Sequence, residues 1–251
     1  MTVEKDLEGR VALVTGAARN LGRGIAEMLA RRAARVVVHH HSAGSLADAE
    51  STAQTIRDLG AESHVVAADL ADPVQVENLA AETLRRFGRM DILVNNAGLI
   101  VKKPFAEIEN EDFERAFAIN ARAPFLLMRA AARHMRNGGR IVNIGTSILG
   151  CSFPFYSVYA ASKAAMEHLT RGLSKELAER EITVNTIAPG ALDTPFFFAA
   201  ETPESANQIK MFTGGLGKVE DVVPTVAHLV SASARWLSGQ TLFVNGGFVT
   251  R

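Results

Sequence analysis

Tyr159 and Lys163 stand four residues apart in the run Tyr159-Ala160-Ala161-Ser162-Lys163, a spacing that places both on one face of a helix. An unperturbed tyrosine has a pKa of ~10 and is a poor proton shuttle at neutral pH. A neighbouring ammonium favours the phenolate, so the spacing predicts a tyrosine drawn down towards the range where acid–base catalysis works. Tyr156, the only other tyrosine, has Ala160 four residues beyond it and lacks such a partner. A second run, Thr15-Gly16-Ala17-Ala18-Arg19-Asn20-Leu21-Gly22, bears glycine at both ends. Between a strand and a helix, such a turn lets backbone N–H groups meet a pyrophosphate at the helix N-terminus, where the macrodipole favours anions.

Residues of this kind need a scaffold, and short β-branched runs alternating with longer helical patterns supply one. Strands are predicted at Val11–Val14, Val36–Val38, Val65–Ala67, Ile92–Val94, Ile141–Ile144, Ile182–Val184 and Thr241–Val244. Helices are predicted over 21–32, about 48–59, 74–87, about 112–135 and about 158–179. Apolar strands alternating with helices imply one α/β domain with a parallel, doubly wound sheet whose strand carboxyl ends form a ligand crevice. The segment 195–216 carries Phe196-Phe197-Phe198, then a polar stretch, then Gly214-Gly215. It fits either a lid over the crevice or a surface helical excursion.

Several motifs follow the strand ends in order. They are the Gly16–Gly22 turn after the first strand, Asp69-Leu70 after the third, Asn95-Asn96-Ala97-Gly98 after the fourth and Gly145-Thr146-Ser147-Ile148-Leu149-Gly150 after the fifth. Ile119-Asn120-Ala121-Arg122-Ala123-Pro124-Phe125 lies within the long helix, and Asn185-Thr186-Ile187-Ala188-Pro189-Gly190 follows the sixth strand. Together with Tyr159 and Lys163 this set resembles the short-chain dehydrogenase/reductase family, from Gly9-Arg10-Val11 to Val244-Asn245-Gly246-Gly247. The turn departs from the family's Thr-Gly-x-x-x-Gly-x-Gly at Asn20, which replaces the middle glycine; asparagine is the side chain that best tolerates positive φ.

The resemblance implies a Rossmann-type seven-stranded sheet in the order 3-2-1-4-5-6-7 and hydride transfer between a nicotinamide and a carbonyl. It implies Tyr159 as proton donor, Ser147 as hydrogen-bond donor to the same oxygen, Lys163 beside the tyrosine and on the ribose, and Asn120 holding a water. Ser147 stands three residues before Gly150, as in the family, but only twelve before Tyr159, which leaves Thr146 as the alternative. The cofactor contacts implied are Gly16, Arg19, Asn20, Leu21, Gly22, His39, His41, Ser42, Asp69, Leu70, Asn96, Ala97, Gly98, Tyr159, Lys163, Ile187, Pro189, Gly190 and Thr194. An NAD site wants an acid at the end of the second strand, for the ribose 2′-OH. His39-His40-His41-Ser42 stands there, and Arg19 in the turn is suited to a 2′-phosphate. The cofactor expected is therefore NADPH.

The rivals are an NAD-dependent alcohol or sugar dehydrogenase, which would use the same four residues, and a dinucleotide-binding sensor without turnover. The reductase expected takes a ketone or 3-oxo compound with apolar bulk. Phe153, Phe155 and the Phe196–Phe198 run fall where the crevice would be, although core packing or a subunit interface would use them equally well. The run Leu99-Ile100-Val101-Lys102-Lys103-Pro104-Phe105 is unlike that of acyl-carrier reductases. The helices over 116–135 and 158–179 resemble those that pair family subunits, implying a homotetramer.

Twenty-seven basic and twenty-seven acidic side chains balance, so no one-sided field grips a nucleic acid or an anionic membrane. The charged N-terminus, Met1–Asp6, lacks a signal peptide's apolar core, and no apolar run is long enough to span a bilayer. Cys151 is the single cysteine, excludes an intrachain disulfide and fits a cytoplasmic protein. It reads as a small buried hydrophobe rather than a nucleophile. The three histidines alternate in facing and have no Cys or carboxylate neighbour in sequence, so no metal site is expected. Two helix ends lack the family's glycine, at Ala33 and Glu181, where a left-handed residue is expected.

Overall fold

The computed structural model describes residues 5–250, the side chains of Phe212 and Thr213 excepted. Met1–Glu4, most of the charged N-terminal run, lie outside the described residues. Seven parallel strands form one sheet in the expected order, β3-β2-β1-β4-β5-β6-β7. They are β1 (Val11–Val14), β2 (Arg35–His40), β3 (Ser63–Ala67), β4 (Ile92–Asn95), β5 (Arg140–Ile144), β6 (Thr183–Pro189) and β7 (Thr241–Val244). The helices are α1 (Asn20–Arg31), α2 (Leu46–Asp58), α3 (Pro73–Phe87), α4 (Asn110–Phe117), α5 (Ala123–His134), α6 (Ser157–Glu176), α7 (Pro195–Phe198), α8 (Pro203–Thr213) and α9 (Val219–Leu229).

Alternate side chains of each strand feed two cores. Ala12, Val14, Val36 and Val38 pack with α1, α2 and α9 on one face, and Val11, Leu13 and Val37 with α3 and α5 on the other. Burial on both faces is why β1 and Ile92–Val94 of β4 read as unbroken apolar runs; β5 and β6 are as fully buried but carry polar side chains such as Asn143 and Asn185. β2 and β6 extend beyond their predicted bounds, to His40 and Pro189, because the strand ends carry polar site residues that hydrophobicity alone does not mark. No helix among the described residues is long and apolar enough to cross a membrane.

The helix predicted over 112–135 is instead two helices, α4 and α5, joined by a wider π turn over Ala118–Arg122. Pro124 is the physical reason. It lacks an N–H, so the carbonyl of Asn120 has no partner in an α register, and the chain widens there. The helix predicted to reach 179 likewise divides, α6 ending at Glu176 and a short 3₁₀ turn, Ala178–Arg180, following it.

A chain of buried hydrogen bonds fixes α6 over the sheet. Asn95 Nδ2 donates to Asn143 Oδ1 at 2.7 Å, Asn143 Nδ2 donates to Thr170 Oγ1 at 2.8 Å, and Thr170 meets Thr186 at 3.0 Å. The chain ties β4, β5 and β6 to one side of the helix that carries Tyr159 and Lys163. Buried bonds of this kind lock a single arrangement, with Asn95 Oδ1 left without a partner among the described residues.

Ala33 and Glu181 have φ of 69° and 55°, the left-handed region in which a side chain costs roughly 1 kcal/mol relative to glycine. Nothing here requires the Glu181 side chain; Arg140 Nη1 donates to its backbone carbonyl, 3.2 Å away. Glu181→Gly is therefore expected to raise the melting temperature by about 2–4 °C. Scanning calorimetry reads this directly, and a lowered midpoint would contradict it.

Candidate active site

At the carboxyl ends of the strands lies a cavity of about 470 Å³, and the turn Thr15–Gly22 forms one end of it. Gly16 and Asn20 take φ of 63° and 53°, so Asn20 fills the position of the missing glycine in the left-handed conformation expected of it. A Cβ on Gly22 would meet the Gly16 carbonyl oxygen at 2.1 Å, which is why the helix can close onto the turn only through glycine. No side chain caps α1, and its first turn carries no acid. Its N-terminal N–H groups therefore face the cavity as an anion site requires.

Asn96 and Thr15 clamp this turn to β4. Thr15 Oγ1 accepts the backbone N–H groups of Asn96 and Ala97 at 2.9 and 3.0 Å, and Asn96 Nδ2 donates to the Thr15 carbonyl at 2.8 Å. A different partner engages the first amide. Gly16 N–H donates to His39 Nδ1 at 2.9 Å, while the other ring nitrogen lies 3.0 Å from the Ala68 carbonyl. That pairing fixes a neutral ring protonated on Nε2. Burial pulls the His39 pKa down to about 4, against the backbone hydrogen bond.

His39, implied by the resemblance as a cofactor contact, lines the cavity as a neutral ring that supports the turn. His40, which the sequence reading passed over, lines the cavity with its ring against the Ser42 carbonyl and the Ser45 hydroxyl. Arg19 and His41 are exposed at the rim, 3.9 Å from Asp48 and 3.7 Å from Asp69 respectively. Ser42 starts the turn after β2 and does not line the cavity, and Ile187 is wholly buried in the core. Asp69, Leu70, Asn96, Ala97, Gly98, Pro189, Gly190 and Thr194 all line it.

Tyr159 and Lys163 project from the first turns of α6 at the middle of the cavity, 6% and 3% exposed. Burial pushes the tyrosine up to about 12, partly offset by a hydrogen bond from Thr146. Burial also draws Lys163 down to about 8, and its Nζ donates to the Ile144 carbonyl at 2.7 Å. The expectation that the ammonium lowers the tyrosine is not what these surroundings produce, because desolvation dominates both groups.

Thr146 is the hydroxyl on the side of the Tyr159 phenol, where it holds the tyrosine down against burial. Ser147, chosen from its distance to Gly150, turns the other way and donates to the Ala188 carbonyl at 2.9 Å, although it also reaches the cavity wall. Thr146, thirteen residues before Tyr159, is the hydroxyl on the tyrosine's side. Asn120 sits in the π turn with no exposed surface. It accepts from Leu99 N–H at 2.9 Å and donates to the Leu99 carbonyl at 2.8 Å and the Ser162 hydroxyl at 3.0 Å. This amide joins the loop after β4 to α6 and does not itself line the cavity. A Cβ on Gly98 would sit 3.2 Å from Lys163 Nζ and 3.3 Å from Asn120 Oδ1, so glycine there leaves room for both.

A family model described as enoyl-(acyl carrier protein) reductase matches residues 16–249. A short-chain type dehydrogenase/reductase of Picea abies is 40% identical, covering 97% of this chain and 93% of its own. The chain is a short-chain dehydrogenase/reductase. Versicolorin reductase 1 of Aspergillus parasiticus is 37% identical over 96% of this chain and 97% of its own. The angucycline C-6 ketoreductase LanV, solved with bound NADP, superposes with a TM-score of 0.90 at 34% identity, covering 97% of this chain and 96% of that one.

In this short-chain dehydrogenase/reductase the far end of the cavity is aromatic. Phe153, stacked on Phe248, lines it with Phe196 and Phe197, whereas Phe155 and Phe198 point elsewhere. Residues 195–213 form α7 and α8, and Phe196, Phe197, Glu201 and Ile209 from this segment wall the cavity. Tyr156 and Glu201 also line it. The sequence reading set Tyr156 aside for want of a lysine partner, and no local pattern marks Glu201, whose partners lie 45 and 99 residues away.

Proposed function

We propose that this chain is an NADPH-dependent reductase that converts a ketone with apolar, ring-sized bulk into an alcohol. The observation that carries this reading is Tyr159 set with Thr146 and Lys163 in the wall of one continuous cavity. That cavity runs from an uncapped, acid-free helix N-terminus to an aromatic pocket. LanV, a ketoreductase with bound NADP, supports both halves of the reading.

The turn suits a dinucleotide. The N-terminal N–H groups of α1 would hold the pyrophosphate, Asp69 and Leu70 would border the adenine, and Lys163 would hold the nicotinamide ribose. Arg19 and His41 at the rim would meet the 2′-phosphate, since both are exposed there and Arg19 can pair bidentately. When bound, NADPH supplies the hydride that reaches the carbonyl carbon. Tyr159 gives its proton to the carbonyl oxygen. When the carbonyl binds, the single Thr146 hydroxyl proton turns from the Tyr159 oxygen to the carbonyl oxygen as charge develops there, while Ser147 supports the β6 backbone behind it. Lys163, with both protonation states accessible near pH 8, returns a proton to Tyr159. Asn120 keeps the Leu99 loop and α6 in register.

Arg19→Ala is expected to weaken NADPH binding at least tenfold while leaving NADH binding nearly unchanged, read by the fluorescence of the reduced nicotinamide or by calorimetry. Tighter binding of NADH than NADPH by the unaltered enzyme would contradict the cofactor assignment. The reaction itself is tested by incubating NADPH with a panel of ring ketones and identifying alcohols by mass. A panel returned unchanged would contradict the reading.

A further inference from the structure

The aromatic end of the cavity contains one buried charge, Glu201, in the turn between α7 and α8, with its side chain 1% exposed. A carboxylate in such a place is costly to ionise unless donors surround it. Lys102 and Ser205 both donate to Oε2, and the Tyr156 hydroxyl donates to Oε1. Burial opposes ionisation of Glu201, but the bonds from Lys102, Ser205 and Tyr156 outweigh it and hold the carboxyl below its usual value. Ionised, the group is acceptor-only, with about four lone-pair positions on its two oxygens. Both positions on Oε2 are filled. On Oε1 only one is, by Tyr156, among the described residues.

The Tyr156 ring is held in place from both sides. Phe155 takes φ of 73°, uncommon for an aromatic residue, and its carbonyl accepts the Lys103 N–H at 3.0 Å. Lys102 Nζ lies 5.3 Å from the Tyr156 ring centroid, and the Tyr156 and Tyr159 rings are 6.3 Å apart. Glu201 therefore lines the cavity beside Phe196 and Phe197, one tyrosine ring removed from the proton donor. Isolated polar points in an apolar pocket set ligand orientation.

Building on the ketone-reductase reading above, we propose that Glu201 is a specificity-determining residue that accepts a hydrogen bond from a hydroxyl of the substrate. The substrate class is then a hydroxylated ring ketone, a phenol or alcohol elsewhere on the same skeleton as the carbonyl. A carboxylate at that position on the substrate would be repelled, and an ether oxygen would have no proton to give.

The test uses 1-tetralone, its 5-, 6- and 7-hydroxy derivatives and the corresponding methyl ethers, with the NADP⁺-loaded enzyme for binding and NADPH for turnover. At least one hydroxy isomer is expected to bind at least tenfold more tightly than both the parent and its own methyl ether, with the same preference in kcat/KM. In Glu201→Gln, which loses the charge and half of the acceptor capacity, that ratio should fall towards one. The ratio is the readout because any general loosening of α7 and α8 cancels from it. Equal binding of hydroxy, methoxy and parent ketones by the unaltered enzyme would overturn the assignment, and so would a ratio that survives in Glu201→Gln. A hydroxyl preference that disappears in Glu201→Gln supports it even if no isomer is reduced, an outcome that would instead contradict the proposed reaction.

Discussion

Tyr159→Phe is expected to lower kcat by about 10²–10⁴, the usual worth of a positioned general acid, equivalent to roughly 3–5 kcal/mol of barrier. NADPH affinity should change by no more than a few-fold, because the ring stays in place and only the hydroxyl that meets Thr146 is lost. The pairing of these two results matters more than either alone. Loss of turnover with loss of cofactor binding would signal a damaged site, whereas loss of turnover alone isolates proton transfer. Stopped-flow turnover beside a fluorescence titration measures both. Near-unaltered turnover would remove Tyr159 from its assigned role.

The second large effect separates two adjacent hydroxyls. Thr146→Val should lower kcat/KM by about 10²–10³, the range found on removing a donor aimed at a developing oxyanion. Ser147→Ala should lower it far less, since that hydroxyl already donates to the Ala188 carbonyl. The cost of Ser147→Ala falls on stability instead, because a buried acceptor on β6 loses its partner. Steady-state kinetics and a thermal melt on both variants distinguish the two. The reverse order, with Ser147→Ala the slower enzyme, would return the role to Ser147.

The parallel sheet was readable because its strands are buried on both faces. Val11–Val14 and Ile92–Val94 are uninterrupted apolar runs of the right length, and the helices between them keep a 3.6-residue period. The glycine-bearing turn was readable for a local reason as well, since Gly16, Asn20 and Gly22 each answer a backbone requirement at their own position. Ala33 and Glu181 are the same argument seen from its failures, being side chains in the left-handed region where glycine would be easier.

What escaped the sequence depends on contacts across the chain. The burial that neutralises His39 comes from Ala68 and from the turn around Gly16, neither of which its neighbours in sequence reveal. The division of the long helix needed the consequence of Pro124 for the Asn120 carbonyl, which an apolar periodicity does not register. Thr146 and Ser147 are chemically near equivalents, and only the rotation of the chain beyond β5 decides which faces Tyr159. Glu201 is the extreme case. It lies in a polar turn with no motif, and its meaning comes from Lys102 and Tyr156 on two other loops.

Direct hydride transfer to a carbonyl, with the proton coming from Tyr159, is tested most directly with NADPH deuterated at both C4 positions in ordinary water. One deuterium should appear on the carbinol carbon of the alcohol made from a hydroxytetralone, with none on oxygen after work-up. Tyr159→Phe should suppress its formation with the cofactor still bound. An alcohol free of deuterium, or deuterium released to water, would contradict the account.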